Sequence, residues 1–197
     1  MINKVKKGLK GSNATLAIIV INIIVYIALI TVPNIADMLL LDPDKVLEKP
    51  WTLITVFFSH EWLIHIFLNM GFFFIFSRQL ERLTSSKTVL IVYVISGFIG
   101  SLTFMPFAPL IGWSGSVVGA SAAVWGVAAA FAAMRPDALI LKGKAKHWVA
   151  VLFAGNTILL VLNPQVSIGA AAHYAGIVVG LIFGCWLKYK EQKRSLT

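Results

Sequence analysis

The chain reads as an all-α membrane protein with six spanning helices, and two observations predict this. The first is composition: 58% of the 197 residues are hydrophobic and only 13% are charged, far from the balance of a soluble domain. The second is arrangement. The apolar residues come in long runs broken by short charged clusters, whereas a membrane barrel would alternate polarity in segments of about ten residues. A helix satisfies its backbone polar groups internally, as the hydrocarbon core of a bilayer requires.

The runs place helices over residues 15–32, 62–77, 88–104, 121–134, 147–162 and 171–187. The first follows a lysine-rich start, as a signal peptide would. Its length of about 18 residues, with no A-x-A-like cleavage site after it, marks it as a retained helix. Orientation follows from the basic residues. Lys4, Lys6, Lys7 and Lys10 precede the first helix; Arg78, Arg82 and Lys87 lie between the second and third. Arg135, Lys142, Lys144 and Lys146 lie between the fourth and fifth, and Lys188, Lys190, Lys193 and Arg194 follow the sixth. Fifteen of the 17 Lys and Arg residues therefore fall on one side, leaving Lys45 and Lys49 on the other. By the positive-inside rule both termini are cytoplasmic.

One membrane domain, residues 1–197, accounts for the chain, with a short basic cytoplasmic segment at 1–13 and a cytoplasmic tail at 188–197. The connection over residues 33–61 faces outward and mixes Met38 and Leu39 to Leu41 with Asp42, Asp44 and Glu48, a pattern that suits the membrane interface. The net charge of +9 comes from helix ends rather than from a basic face, so topology explains it and nucleic acid is not an expected partner. Cys185, the only cysteine, forms no intramolecular disulfide.

Polar side chains at membrane depth are costly and point to function. The second helix carries His65 and Asn69, with His60 just above it; the fourth opens with Ser121; the sixth carries His173. Depth can be counted back from the cytoplasmic basic residues at about 1.5 Å per residue. Ser121 stands roughly 21 Å above Arg135, His173 roughly 22 Å above Lys188, and His65 roughly 20 Å above Arg78. The three share one level, about 10 Å below the outer surface of a 30 Å hydrocarbon core. The helix beginning at Ser121 is too short to span, so the backbone before it reaches that depth without helical hydrogen bonds. Such backbone needs a protein-lined or water-filled cavity opening outward.

A serine beside a histidine permits nucleophilic catalysis, because imidazole can take the hydroxyl proton as the oxygen attacks a carbonyl. The predicted spans contain no Asp or Glu, and Glu81 sits at the cytoplasmic end of the second helix, so these residues predict a Ser-His dyad. Asn69 lies one turn below His65 on the same face. Both side chains, with the Ser121 backbone N–H, could donate to the oxyanion of acyl transfer. Gly176, Gly180 and Gly184 form a small-residue stripe on the sixth helix, facing a fourth helix rich in Ala and Gly, which brings His173 toward Ser121.

Three motifs occur in order: His60, His65, Asn69 and Met70 as H-x4-H-x3-N-M; GASAAVWG over residues 119–126, containing G-x-S; and Ala172, His173, Gly176 and Gly180 as A-H-x2-G-x3-G. Over roughly residues 15–188 the chain resembles the rhomboid family of intramembrane serine proteases. The resemblance implies Ser121 as nucleophile, His173 as general base, and His65, Asn69 and the Ser121 amide as the oxyanion hole. It implies supporting roles for His60 in the outer loop, for Trp125 packed on the imidazole, for Glu81 as a structural hydrogen-bonding group, and for Gly119, Gly176 and Gly180. It also implies a membrane-spanning protein substrate cut near the outer leaflet, with no metal or other cofactor, in a setting such as a bacterial cytoplasmic membrane. Lateral substrate access beside the fifth helix, with Trp148 and Phe153 as candidate gate residues, rests on the resemblance too. That helix is read as carrying none of the catalytic polar groups.

Two positions depart from the family pattern. Ala122 follows the serine where many members have glycine, and because alanine keeps its backbone N–H, activity is expected to survive. Trp51-Thr52 stands where many members have Trp-Arg, so the usual anchoring of the outer loop is not expected to carry over. A literal G-x-S-G, over residues 112–115 and centred on Ser114, is read as a decoy, because a helix starting there would run about 32 Å to Arg135 and place the hydroxyl at the outer surface. Metal chemistry is a competing class. His60, Glu61 and His65 resemble H-E-x-x-H, but histidines five residues apart lie about 140° around a helix and not on one face. The remaining alternative is a rhomboid-like protein without catalysis that binds membrane-protein clients.

Overall fold

The computed structural model describes residues 12–165 and 167–195; the four N-terminal lysines at positions 4, 6, 7 and 10 lie outside them. Six principal helices follow in order: α1 Asn13–Thr31, α2 Leu63–Leu83, α3 Ser86–Leu110, α4 Ser121–Met134, α5 Ala145–Leu162 and α6 Ala170–Arg194. Five are long and apolar enough to cross a membrane, while α4 has only 14 residues. Three helices overrun the predicted ends. α2 and α6 continue through their basic residues to Leu83 and Arg194, so most of the predicted tail at 188–197 is helical. Charges mark the membrane edge, not the end of a helix, and Lys, Arg, Gln and Glu all propagate helices well. α3 runs past Pro106 and Pro109 to Leu110, which confines the backbone bonds lost to proline to its last turns.

The short helix is the centre of the molecule. Ala122 to Val124, Gly126 to Ala132 and Met134 are all buried, the behaviour of a helix that is apolar on every side. α6 lies directly against it. A Cβ added at Gly176 would fall inside the Ala122 carbonyl, one at Gly180 inside the Gly126 carbonyl, and one at Gly184 inside the Ala130 carbonyl. Only a stripe without side chains permits this approach. α1 and α5 are peripheral, and apolar side chains such as Ile24, Ile27, Val151 and Ile158 are exposed, as suits surfaces that face lipid.

At the basic end of the bundle, Glu81 joins three helices. Its carboxylate accepts from Ala14 N (2.8 Å), Thr15 N (3.0 Å), Thr15 Oγ1 (2.5 Å) and Ser86 Oγ (2.6 Å). It thereby satisfies N–H groups that the first turn of α1 leaves without internal partners, at the positive end of that helix. Arg135, after α4, forms a two-pronged ion pair with Glu191 of α6. Between α4 and α5 the chain makes a small antiparallel hairpin, β1 Leu139–Ile140 and β2 Gly143–Lys144, turned by Leu141 and Lys142 at φ 47° and 67°. Hydrogen bonds from Lys146 and Lys144 hold the neighbouring Asp137 carboxyl down to about 2.

The opposite end is closed by the connection over residues 33–61. Leu41 and Val117 exchange both backbone bonds, Leu41 N to Val117 O at 3.3 Å and Val117 N to Leu41 O at 2.8 Å, tying the loop to the strand-like segment that leads into α4. Where the family's arginine is missing, carbonyls inside the loop are held by other side chains. Trp51 Nε1 donates to Met38 O (2.9 Å), Thr52 Oγ1 to Lys49 O (2.7 Å) and Thr55 Oγ1 to Leu39 O (2.7 Å). The loop therefore carries its own anchoring.

Candidate active site

Ser121 is the first residue of α4, so its backbone N–H is one of those an α-helix leaves without an internal partner, at the positive end of the helix. The turn into it depends on Gly119, whose φ of 135° belongs to the region glycine tolerates. A Cβ at Gly119 would also stand 3.1 Å from His65 Cε1, so the missing side chain makes room for that ring. His173 sits in the first turn of α6, carried there by the close α4–α6 contact. The result is a hydrogen bond of 2.7 Å between Ser121 Oγ and His173 Nε2. Trp125, one turn along α4, stacks on the imidazole with ring centroids 4.0 Å apart and planes 27° from parallel.

The pair lies in a cleft of about 570 Å³ between α2 and α5, whose lining includes His65, Asn69, Phe72, Ser121, Trp125 and His173. Asn69 Nδ2 donates to its own helix at His65 O (3.1 Å); the amide nitrogen has a second N–H to offer. His60 is fully buried and stands edge-on to His65 with ring centroids 5.0 Å apart. This set can attack a carbonyl carbon with the serine oxygen, take up the hydroxyl proton on imidazole, and offer N–H groups to the resulting oxyanion. Ser114 is exposed in the connection before α4. Among the described residues, no group of three or more His, Cys, Asp or Glu side chains converges as a metal site would.

α5 corrects the sequence reading in one respect. It does carry a polar group of the site: Asn156, buried on this helix, has its Oδ1 2.8 Å from His173 Nδ1 and donates through Nδ2 to Ala170 O at 3.1 Å. The signal was available, since an amide in a spanning helix is costly and Asn156 stands ten residues, or roughly 15 Å, from Lys146. The survey of polar side chains at membrane depth passed it over. Of the two aromatic residues singled out on α5, Trp148 stands edge-on to Phe72 of the cleft lining on α2, with ring centroids 6.3 Å apart. Trp148 sits at the base of the helix, donating to Ile140 O of the hairpin (2.8 Å), and Phe153 packs on Tyr174 with centroids 5.1 Å apart. The wall of the cleft on this side is Leu152.

Comparison with known proteins agrees with this architecture. The sequence model of the rhomboid domain matches residues 47–190. Rhomboid protease GlpG of Haemophilus influenzae is 31% identical over 162 residues, covering 76% of this chain and 75% of that protein. Rhomboid-like protease 3 of Toxoplasma gondii is 28% identical over 141 residues, 69% of this chain and 51% of the relative. Inactive rhomboid protein 1 of Drosophila melanogaster is 28% identical over 146 residues, 71% of this chain but only 9% of that much longer protein. The chain thus spans about half or less of the length of two of these three relatives. With the domain matched over most of the chain and long apolar helices packed around a short central one, this multi-pass, all-α integral membrane protein belongs to the rhomboid family.

Proposed function

We propose that this chain is an intramembrane serine endopeptidase that cleaves membrane-spanning protein substrates near the outer leaflet. The observation that carries the reading is the 2.7 Å bond from Ser121 Oγ to His173 Nε2 at the inner end of a cleft between α2 and α5. Ser121 Oγ attacks the scissile carbonyl as its proton passes to His173 Nε2. The oxyanion takes N–H donors from the Ser121 backbone, Asn69 and His65. His173 then gives the proton to the leaving nitrogen, and water hydrolyses the acyl-enzyme in the reverse sense. In this reading all six helices cross the bilayer, both termini are cytoplasmic, and the membrane is a bacterial cytoplasmic one. A serine-hydrolase probe should label the purified protein at Ser121 and block cleavage of a membrane-spanning substrate. A protein that resists labelling and leaves substrates intact would instead fit the reading as a client-binding rhomboid without catalysis, a reading suggested by the relative named inactive.

Asn69→Ala should lower kcat by about 10²-fold, the size typical for loss of one oxyanion donor, and His65→Ala should act similarly. A full kcat with a lowered melting temperature would assign both residues to helix packing alone.

Substrates reach Ser121 through the gap between α2 and α5. A spanning helix hides its carbonyls in its own hydrogen bonds, so it has to unwind locally before attack, and the cleft supplies polar partners for that step. A crosslink between α5 and α2, placed where Trp148 and Phe72 meet with ring centroids 6.3 Å apart, should block protein substrates, while a small probe still labels Ser121. Cleavage at the normal rate in the crosslinked protein excludes this route.

A further inference from the structure

We propose that Asn156 is a positioning residue for the Ser121–His173 pair. Its amide oxygen holds the imidazole with the proton on Nδ1, leaving Nε2 free to accept the proton of Ser121. This inference rests on the reading of Ser121 as nucleophile and His173 as base.

An asparagine side chain can face a neighbour with either its oxygen or its nitrogen, and a nearby group that can only accept settles which. Ala170 O is such a group. It lies 3.1 Å from Asn156 Nδ2, so the NH2 end points at that carbonyl and Oδ1 is the end 2.8 Å from His173 Nδ1. An amide oxygen only accepts, so Nδ1 carries the hydrogen. A neutral imidazole has one N–H, and Nε2 is therefore bare where it faces Ser121 Oγ at 2.7 Å. The other tautomer would donate from Nε2 to the serine and could not take its proton.

The ring is held on its remaining sides as well. Trp125 covers one face at 4.0 Å and sets the plane, but a stack leaves rotation within that plane free. Asn156 removes the rotation. The carbonyl that orients the amide belongs to the first residue of α6, three positions before His173, so amide and imidazole are referenced to the same turn of helix. Asn156 is 5% exposed, which keeps water from competing for either end of the amide. A neutral amide holds the ring without the desolvation cost of a buried carboxylate, a cost that in an Asp variant only the charge of the protonated imidazole would offset.

The test compares Asn156→Ala and Asn156→Asp with the wild type and Ser121→Ala in proteoliposomes, using a membrane-spanning substrate over a range of pH. Asn156→Ala should lower kcat on the order of 10²-fold, the lower part of what a positioned base supplies, with KM changed less than about threefold. Asn156→Asp keeps the acceptor and should recover most of kcat. Because its carboxylate favours the protonated ring, it should move the acidic limb of the kcat profile to higher pH, whereas Asn156→Ala should not. A purely structural asparagine would lower activity in step with melting temperature and leave the limb in place in both variants, and that result overturns the assignment. Full kcat in Asn156→Ala also overturns it. If Ser121→Ala cleaves as well as wild type, the nucleophile reading itself falls and takes this inference with it. If Ser121→Ala is dead while both Asn156 variants behave as wild type, only the role of Asn156 is lost.

Discussion

Ser121→Ala and His173→Ala are each expected to abolish cleavage of a membrane-spanning substrate, with rates down by about 10⁴-fold or more, while Ser114→Ala cleaves at the wild-type rate. The size of the effect follows from the geometry. Removing Oγ removes the atom that meets His173 Nε2 at 2.7 Å, and Ala122, next along α4, has no hydroxyl to replace it. Removing the imidazole leaves the serine without an acceptor for its proton. The fold should survive both changes, since Ser121→Ala forfeits one hydrogen bond, worth about 1 kcal/mol, and the small-residue contact of α4 with α6 is untouched. Rates on a reconstituted substrate, read beside thermal unfolding, separate chemistry from stability. A dead Ser114→Ala together with an active Ser121→Ala would move the nucleophile to the G-x-S-G at residues 112–115.

Gly180→Val should destabilise the protein by about 3 kcal/mol or more, the upper part of the range for overpacking, and unfold it at a visibly lower temperature. The added carbons would meet the Gly126 carbonyl and the Ala129 Cβ. Backbone atoms inside a helix cannot step aside as a flexible side chain can, so α6 has to move away from α4 along much of their shared length. Activity should fall with stability, because His173 rides on the displaced helix. Gly155→Ala on α5 is the control. No neighbour lies within 4 Å of a Cβ there, and alanine favours helix by up to about 1 kcal/mol over glycine, so its melting temperature should hold or rise. Equal melting temperatures for Gly180→Val and wild type would show that the two helices can separate freely.

Much of this arrangement could be read from residues alone because a bilayer imposes a ruler. Counting from Arg135 and Lys188 put Ser121 and His173 at one level, and they are hydrogen-bonded in the structure. The glycine stripe at 176, 180 and 184 announced the helix contact that brings them together. Asn156 escaped this ruler, because its ten residues from Lys146 amount to roughly 15 Å and fall short of the roughly 20 Å level of Ser121, His173 and His65. What stayed illegible has local causes. The hairpin at 139–144 turns on Leu141 and Lys142, which lack the Asn-Gly or Asp-Gly signature that marks such turns. Helix ends beyond the membrane were missed because hydropathy reports where lipid stops, while the hydrogen-bonded ladder continues through Arg78 to Leu83 and through Lys188 to Arg194.

The seam between α5 and α6 has a consequence for timing. Asn156 meets His173 and Ala170, and the next residue, Thr157, shares a hydroxyl bond of 2.7 Å with Tyr174. A few such bonds, each worth about 1 kcal/mol, are a small barrier to the swing of a peripheral helix. The same swing takes the amide away from the imidazole. In the proposed mechanism the protein is then not wide open and fully armed at one moment, so admission and chemistry alternate, as in enzymes whose closure completes the catalytic set. On that mechanism a helix that only brushes through the gap would meet a disarmed serine and leave intact. One that stays unwound in the cleft while α5 returns to its seat would be cut, so dwell time would join sequence as a means of telling substrate from bystander.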